Sequence, residues 1–132
     1  MGKMLSLVVT LFIFTSVFAH EGHDKTPGAL SAPHGGIVQG TDHLYIELLG
    51  SGAAVQVYFY DHEMKPISVQ SVKIEGKAVL PKKAGALPIS FAVEKDFFTA
   101  KVDSKGAHRY TLELSVVHAG KNEKVQFTVE PQ

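Results

Sequence analysis

Residues 42–49 read Asp42-His43-Leu44-Tyr45-Ile46-Glu47-Leu48-Leu49, and residues 55–60 read Val55-Gln56-Val57-Tyr58-Phe59-Tyr60. Both alternate. Leu44, Ile46 and Leu48 share one face of the first run, opposite His43, Tyr45 and Glu47; Val55, Val57 and Phe59 share one face of the second, opposite Gln56, Tyr58 and Tyr60. Successive side chains of a strand point to opposite sides, so this period of two predicts two half-buried strands. Gly50-Ser51-Gly52 between them is turn chemistry, which makes the pair a hairpin.

The same grammar continues to the C-terminus. Asp61 to Pro66 is a second turn, and Ile67 to Ile74 a further strand region. Glu75-Gly76-Lys77 predicts a tight turn before Ala78-Val79-Leu80, and Pro81 to Pro88 a loop. Ile89, Phe91 and Val93 alternate with Ser90, Ala92 and Glu94. Phe97 to Val102 follows a Lys95-Asp96 turn, and Asp103 to Gly106 forms another turn. Tyr110, Leu112, Leu114 and Val116 share one face, and Gly120-Lys121-Asn122 closes a hairpin into Val125, Phe127 and Val129. Seven or eight such runs, with turns every 8–12 residues or so and no long helical period, predict an all-β domain. The expected architecture is an antiparallel immunoglobulin-like β-sandwich of seven or eight strands, with a small closed barrel as the alternative. Each sheet should have one dry and one wet face.

Outward from this domain, the N-terminus has a different character. Lys3 precedes an apolar run from Leu5 to Phe14, and Val17-Phe18-Ala19 approximates a small-x-small cleavage site. The run is shorter than the roughly 20 residues that span a bilayer. Residues 1–19 therefore read as a cleaved signal peptide, residues 20–32 as a flexible histidine-containing arm, and residues 33–132 as the sandwich. The expected location is the periplasm, with no membrane span in the mature chain.

Composition narrows the function. The chain of 132 residues has no cysteine, which removes disulfides, thiolate metal sites and thiol nucleophiles. Its charges balance, and Arg109 is its single arginine, which argues against nucleic acid as a partner. No Gly-x-Ser-x-Gly elbow, His-Glu-x-x-His helix or phosphate-cradling loop occurs, so the chain reads as a non-enzyme.

Seven histidines are the chemical signal, since neutral imidazole is the commonest protein ligand for zinc, copper and nickel. His20 and His23 lie in the arm, with Glu21 and Asp24 beside them. If cleavage follows Ala19, the free amine of His20, its imidazole and His23 can reach one cation. His34 sits in Pro33-His34-Gly35-Gly36, whose glycines open backbone torsions closed to other residues. His43 and Glu47 lie on one strand face about 13 Å apart, too far to bind one ion directly. His43 with His34 or with a cross-strand partner is the more plausible pair. His62 belongs to a turn, and His108 and His118 flank one strand at opposite ends.

Ala32-Pro33-His34-Gly35-Gly36, the strand from Asp42 to Leu48, and the segment from Val57 to Ile67 with its Asp61-to-Pro66 turn together resemble a small periplasmic module. That module occurs in stand-alone exported proteins and near the N-terminus of adaptor subunits of heavy-metal efflux pumps of the resistance–nodulation–division type. The resemblance covers about Pro33 to Ile67. It implies a β-sandwich, a link to heavy-metal handling, and His34, His43 and Glu47 as positions of interest. The chain shows none of the long helical hairpin or barrel domains of an adaptor, which implies an accessory or free-standing role. The expected function is a periplasmic heavy-metal-binding accessory protein in metal efflux or homeostasis. Its expected partners are a divalent zinc, copper or nickel ion, held by His20, His23, His34, His43 and Glu47, and an efflux-pump component. The alternative is a non-enzymatic interaction module of the envelope, using Tyr45, Tyr58 and Tyr60.

Overall fold

The computed structural model describes residues 30–82 and 85–131. Among these residues nine strands run in chain order: β1 (Ile37–Gly40), β2 (Tyr45–Ser51), β3 (Ala54–Tyr60), β4 (Val72–Val79), β5 (Ala86–Ile89), β6 (Ala92–Glu94), β7 (Phe97–Lys101), β8 (Tyr110–His118) and β9 (Lys121–Val129). A 3-10 turn, Val69–Ser71, leads into β4. The signal peptide expected over residues 1–19 lies outside the described residues, as does the arm expected over residues 20–32 apart from its last three positions.

The strands form two antiparallel sheets, ordered β1-β2-β3-β7-β6 and β5-β4-β8-β9. The chain makes the β1-β2-β3 meander, crosses to the second sheet for β4 and β5, returns for β6 and β7, and crosses again for the β8–β9 hairpin. In immunoglobulin lettering, β2-β3-β7-β6 is the A-B-E-D sheet and β5-β4-β8-β9 is C′-C-F-G, with β1 added at the edge. Among the described residues no strand pairs across the two sheets, so the sandwich forms and the closed barrel does not. No helix among them is long and apolar enough to cross a membrane.

The alternating residues fill the space between the sheets. Ile46, Leu48, Val55, Val57 and Phe59 meet Leu112, Leu114, Val116 and Phe127, all essentially inaccessible to water. Burial of apolar side chains at this density is the main stabilising term. At the β8–β9 hairpin, Ala119 and Gly120 both have positive φ, 49° and 75°. Two such residues make the turn whose twist matches its flanking strands.

The structure departs from the expected strand boundaries at several places. The strand expected over Ile67 to Ile74 begins only at Val72, after the 3-10 turn, and β5 begins at Ala86, inside the loop expected over Pro81 to Pro88. β1 was not expected as a strand. Glu75-Gly76-Lys77 is not a turn: β4 runs unbroken through it, because Gly76 clears room for the Phe91 ring, whose Cε2 lies 2.8 Å from where a Cβ would stand. The alternation from Ile89 to Glu94 is not one strand either. It splits between β5 in one sheet and β6 in the other, and Pro88 sits within β5, an edge strand where the missing N–H is tolerated.

Candidate functional site: a histidine over a buried carboxylate

The sequence Ala32-Pro33-His34-Gly35 forms a turn in which the Gly35 N–H donates to the Ala32 carbonyl at 3.1 Å. Pro33 suits the first central position of such a turn, and Gly35 has φ 78°. Gly36 then packs against β2 so closely that a Cβ would collide with the Leu48 carbonyl. The result lays His34 over the outer face of the five-stranded sheet.

That outer face carries Glu47, Tyr58 and Tyr60, with Glu47 directly opposite Tyr58 in the β2–β3 register. Alternation predicts a wet face here. Instead Glu47 is 0% exposed, Tyr60 2% and Tyr58 8%. The physical reason is the returning segment: its backbone and the His34 ring shield the carboxylate. The open tyrosine face expected of an interaction module is therefore covered at Tyr58 and Tyr60, and only Tyr45 is partly accessible.

The carboxylate is fully engaged. Glu47 Oε1 accepts the backbone N–H of His34 at 2.8 Å and of Gly36 at 3.0 Å. Oε2 accepts the Tyr60 hydroxyl at 2.7 Å and stands 3.1 Å from His34 Nδ1. An ionised carboxylate offers about four lone-pair sites; three face these donors and the fourth faces the His34 ring nitrogen. Burial pushes the Glu47 carboxyl up. The Gly36 N–H, the Tyr60 hydroxyl, and the ring and N–H of His34 outweigh it together and hold the group below its ordinary range. Burial raises the Tyr60 phenol well above its usual value, helped by its bond to Glu47 and that residue's charge. Burial likewise raises Tyr58, with the charges of Asp96 and Glu47 adding to it.

His34 is the accessible member. Its ring stacks on Tyr58 with centroids 3.8 Å apart and planes inclined 16°, and Tyr58 in turn leans on Phe97 at 5.1 Å. The side chain remains 38% exposed. Nδ1 also lies 2.9 Å from the Tyr60 hydroxyl, and among the described residues no hydrogen bond reaches Nε2.

The other candidates lie elsewhere. His43, in the β1–β2 connection, bonds through Nδ1 to Glu123 on β9. Glu123 is 6% exposed and sits in phase with Phe127 and Val129 on the core side of its strand. His62 bonds through Nε2 to the Asp42 carbonyl at 3.0 Å, with its ring edge-on to Tyr45. The structure therefore joins His34 to Glu47, and His43 to Glu123, but does not bring the two pairs together. His108 and His118 bracket β8 as expected. His20 and His23 lie outside the described residues. Among the described residues no three His, Asp or Glu side chains converge as a metal-ligand set. A cavity of about 780 Å³ opens among Leu80, His108, Arg109 and Glu130, at the end of the sandwich away from His43.

Tyr60 and Glu123 are the partners that sequence reasoning missed. Glu123 carried a usable signal, since it continues the apolar face of Val125, Phe127 and Val129 two residues upstream. Tyr60 carried none, because nothing local says which residues cover the outer face.

The fold and site define an all-β sandwich domain that displays, among the described residues, two imidazoles held at Nδ1 by buried carboxylates, His34 by Glu47 and His43 by Glu123. No family model, curated protein or solved structure matches the chain.

Proposed function

We propose that this chain is a non-enzymatic, exported accessory protein that binds a divalent transition metal, zinc, copper or nickel, in the service of metal efflux or homeostasis. The observation that carries this reading is the Glu47–His34 pair. Ligating histidines characteristically donate one ring N–H to a carboxylate and offer the other nitrogen to the metal. His34 Nδ1 stands against such a carboxylate, on a side chain that remains 38% exposed. His43 is braced in the same way by Glu123, but the two imidazoles do not converge with a third ligand among the described residues, so the rest of the coordination set around His34 falls to His20 and His23 of the arm, eleven or more residues upstream in sequence. Nitrogen donors of this kind suit borderline ions rather than calcium or magnesium. The proposed setting is the periplasm, reached through cleavage after Ala19, with an efflux-pump component as the protein partner. The burial of Tyr58 and Tyr60 leaves the interaction-module reading with less to stand on.

The test is calorimetric titration of the chain from His20 onward with Zn(II), Cu(II) and Ni(II) at neutral pH. The expected result is a Kd in the micromolar range or tighter, about −8 kcal/mol. That binding should be lost in His34→Ala and in a variant lacking His20 to Asp24. Absence of binding by all three ions would discard the metal reading and return the interaction module.

A further inference from the structure

We infer that Glu47 and Tyr60 lock His34 in the tautomer bearing its proton on Nδ1, so that Nε2 is the atom His34 offers to a metal ion, and that Glu47 and Tyr60 are positioning residues rather than ligands. This rests on the reading of His34 as a metal donor and specifies the atom and the supporting groups.

The argument is a count of hydrogens. His34 Nδ1, Glu47 Oε2 and Tyr60 Oη form a triangle with sides of 2.7, 2.9 and 3.1 Å. Each side is a hydrogen-bond distance, and at most two hydrogens are available, so one of them must be shared between two sides. The carboxylate brings none, because the N–H groups of His34 and Gly36 on its other oxygen favour the ionised form. Tyr60 brings one. Suppose Nδ1 were bare. If Tyr60 donated to Glu47, the Nδ1 lone pair would face both a carboxylate oxygen and a hydroxyl oxygen without a proton between them. If Tyr60 donated to Nδ1, the phenol oxygen would stand 2.7 Å from a charged oxygen with nothing to bridge them. All three contacts are satisfied only with a proton on Nδ1. Tyr60 donates to Oε2, and Nδ1–H donates into the angle between Oε2 and Oη. A neutral ring protonated at Nδ1 has its lone pair on Nε2.

The surroundings fix the direction of that lone pair. Tyr58 stacks beneath the ring and sets its plane, while the Nδ1 edge is tied to a carboxylate with no exposure. Nε2, across the ring, lies on the side away from Glu47. A carboxylate behind an imidazole also raises the basicity of the far nitrogen. Glu47 itself has no lone pair to spare, since two donors meet each of its oxygens.

The experiment is long-range proton–nitrogen correlation NMR on uniformly ¹⁵N-labelled chain from His20 onward, at a pH where the His34 ring is neutral, before and after adding Zn(II). The expected result is a protonated, pyrrole-type Nδ1 and a bare, pyridine-type Nε2 in the free protein. Zinc should then shift Nε2 and leave Nδ1 protonated. Tyr60→Phe and Glu47→Gln should each loosen the tautomer preference and weaken zinc binding about 10- to 100-fold, with the circular dichroism of a folded sandwich retained. Should Glu47→Gln fail to fold, Tyr60→Phe and the unmodified protein still decide the matter. A proton on Nε2 in a protein that binds zinc overturns the lock while sparing the metal reading. A protonated Nδ1 with no zinc response at either ring nitrogen overturns the metal reading and the ligating half of the inference with it. Wild-type affinity and tautomer in both variants removes Glu47 and Tyr60 as positioning residues.

Discussion

At Glu47 a carboxylate occupies a strand position that alternation assigns to solvent, yet it is fully buried and bonded four times over. Removing water from a charge is costly unless protein donors replace it. Here two backbone N–H groups, a phenol and an imidazole do so, which makes the charge itself the tie between the 32–36 segment and the sheet. Glu47→Gln puts an amide N–H₂ where donors already converge, and roughly 3 kcal/mol of stability should be lost at neutral pH. The sign with pH follows from the lowered Glu47 value. The folded state holds the carboxyl below the roughly 4.3 of an unfolded chain. Its stabilising contribution is therefore complete above that value and disappears as pH falls through the folded one. Urea midpoints of parent and Glu47→Gln, taken from pH 7 down to pH 3, should converge in acid. A gap that stays constant would mean that shape, not charge, holds the segment. The sequence made His34 legible as a position of interest, through the glycines beside it and the resemblance they carry. It did not make the burial of Glu47 legible, because that depends on a segment 11 to 13 residues away folding back over the sheet, which no local period records.

The element that makes this possible is the turn from Ala32 to Gly36, and its two glycines do different work. Gly35 needs its positive φ, but a side chain there would meet nothing within 4 Å. Gly36 has ordinary torsions and no space, since a Cβ would strike the Leu48 backbone, which cannot rotate away. Gly35→Ala should accordingly cost about 1 kcal/mol, the price of a left-handed torsion. Gly36→Ala should cost clearly more and should also disturb the His34 ring signals, because the Gly36 N–H is one of the donors on Glu47. Chemical denaturation of the two variants side by side checks this, and equal losses would show that the close approach to β2 is not what demands glycine. Gly76 teaches the same lesson in reverse. Between Glu75 and Lys77 it reads as a turn, but the residue is needed mid-strand to admit Phe91. Period-two patterning shows that Ile89 to Glu94 is extended and half-buried. It is silent on which sheet each half joins, and the chain changes sheets within that run.

Over the whole molecule, the two sheets are held by apolar contact, and His43 to Glu123 is a polar link between them. His43 comes from the β1–β2 connection of one sheet, and Glu123 from the last strand of the other. Glu123 occupies a core-side position, so it depends on that imidazole for compensation. His43→Ala would leave a nearly buried carboxylate without its partner. His43 is half exposed, however, with 52% of its side chain accessible, and solvent weakens the pair. A double-mutant cycle over His43→Ala and Glu123→Gln should return a coupling of about 1 kcal/mol, with His43→Ala the costlier single change. The link also bears on metal chemistry. His43 has its Nδ1 on a carboxylate just as His34 does, but its partner Glu123 sits on the other sheet, so the contact serves the joint between sheets and stands apart from the His34–Glu47 pair. His43→Ala should thus lower the unfolding midpoint while leaving the zinc isotherm unchanged, the opposite of Tyr60→Phe, whose main effect should fall on binding. If His43→Ala instead abolished zinc binding with the fold intact, the metal centre would belong at the end of the sandwich near Glu123, and the outer face of the five-stranded sheet would lose its claim to it.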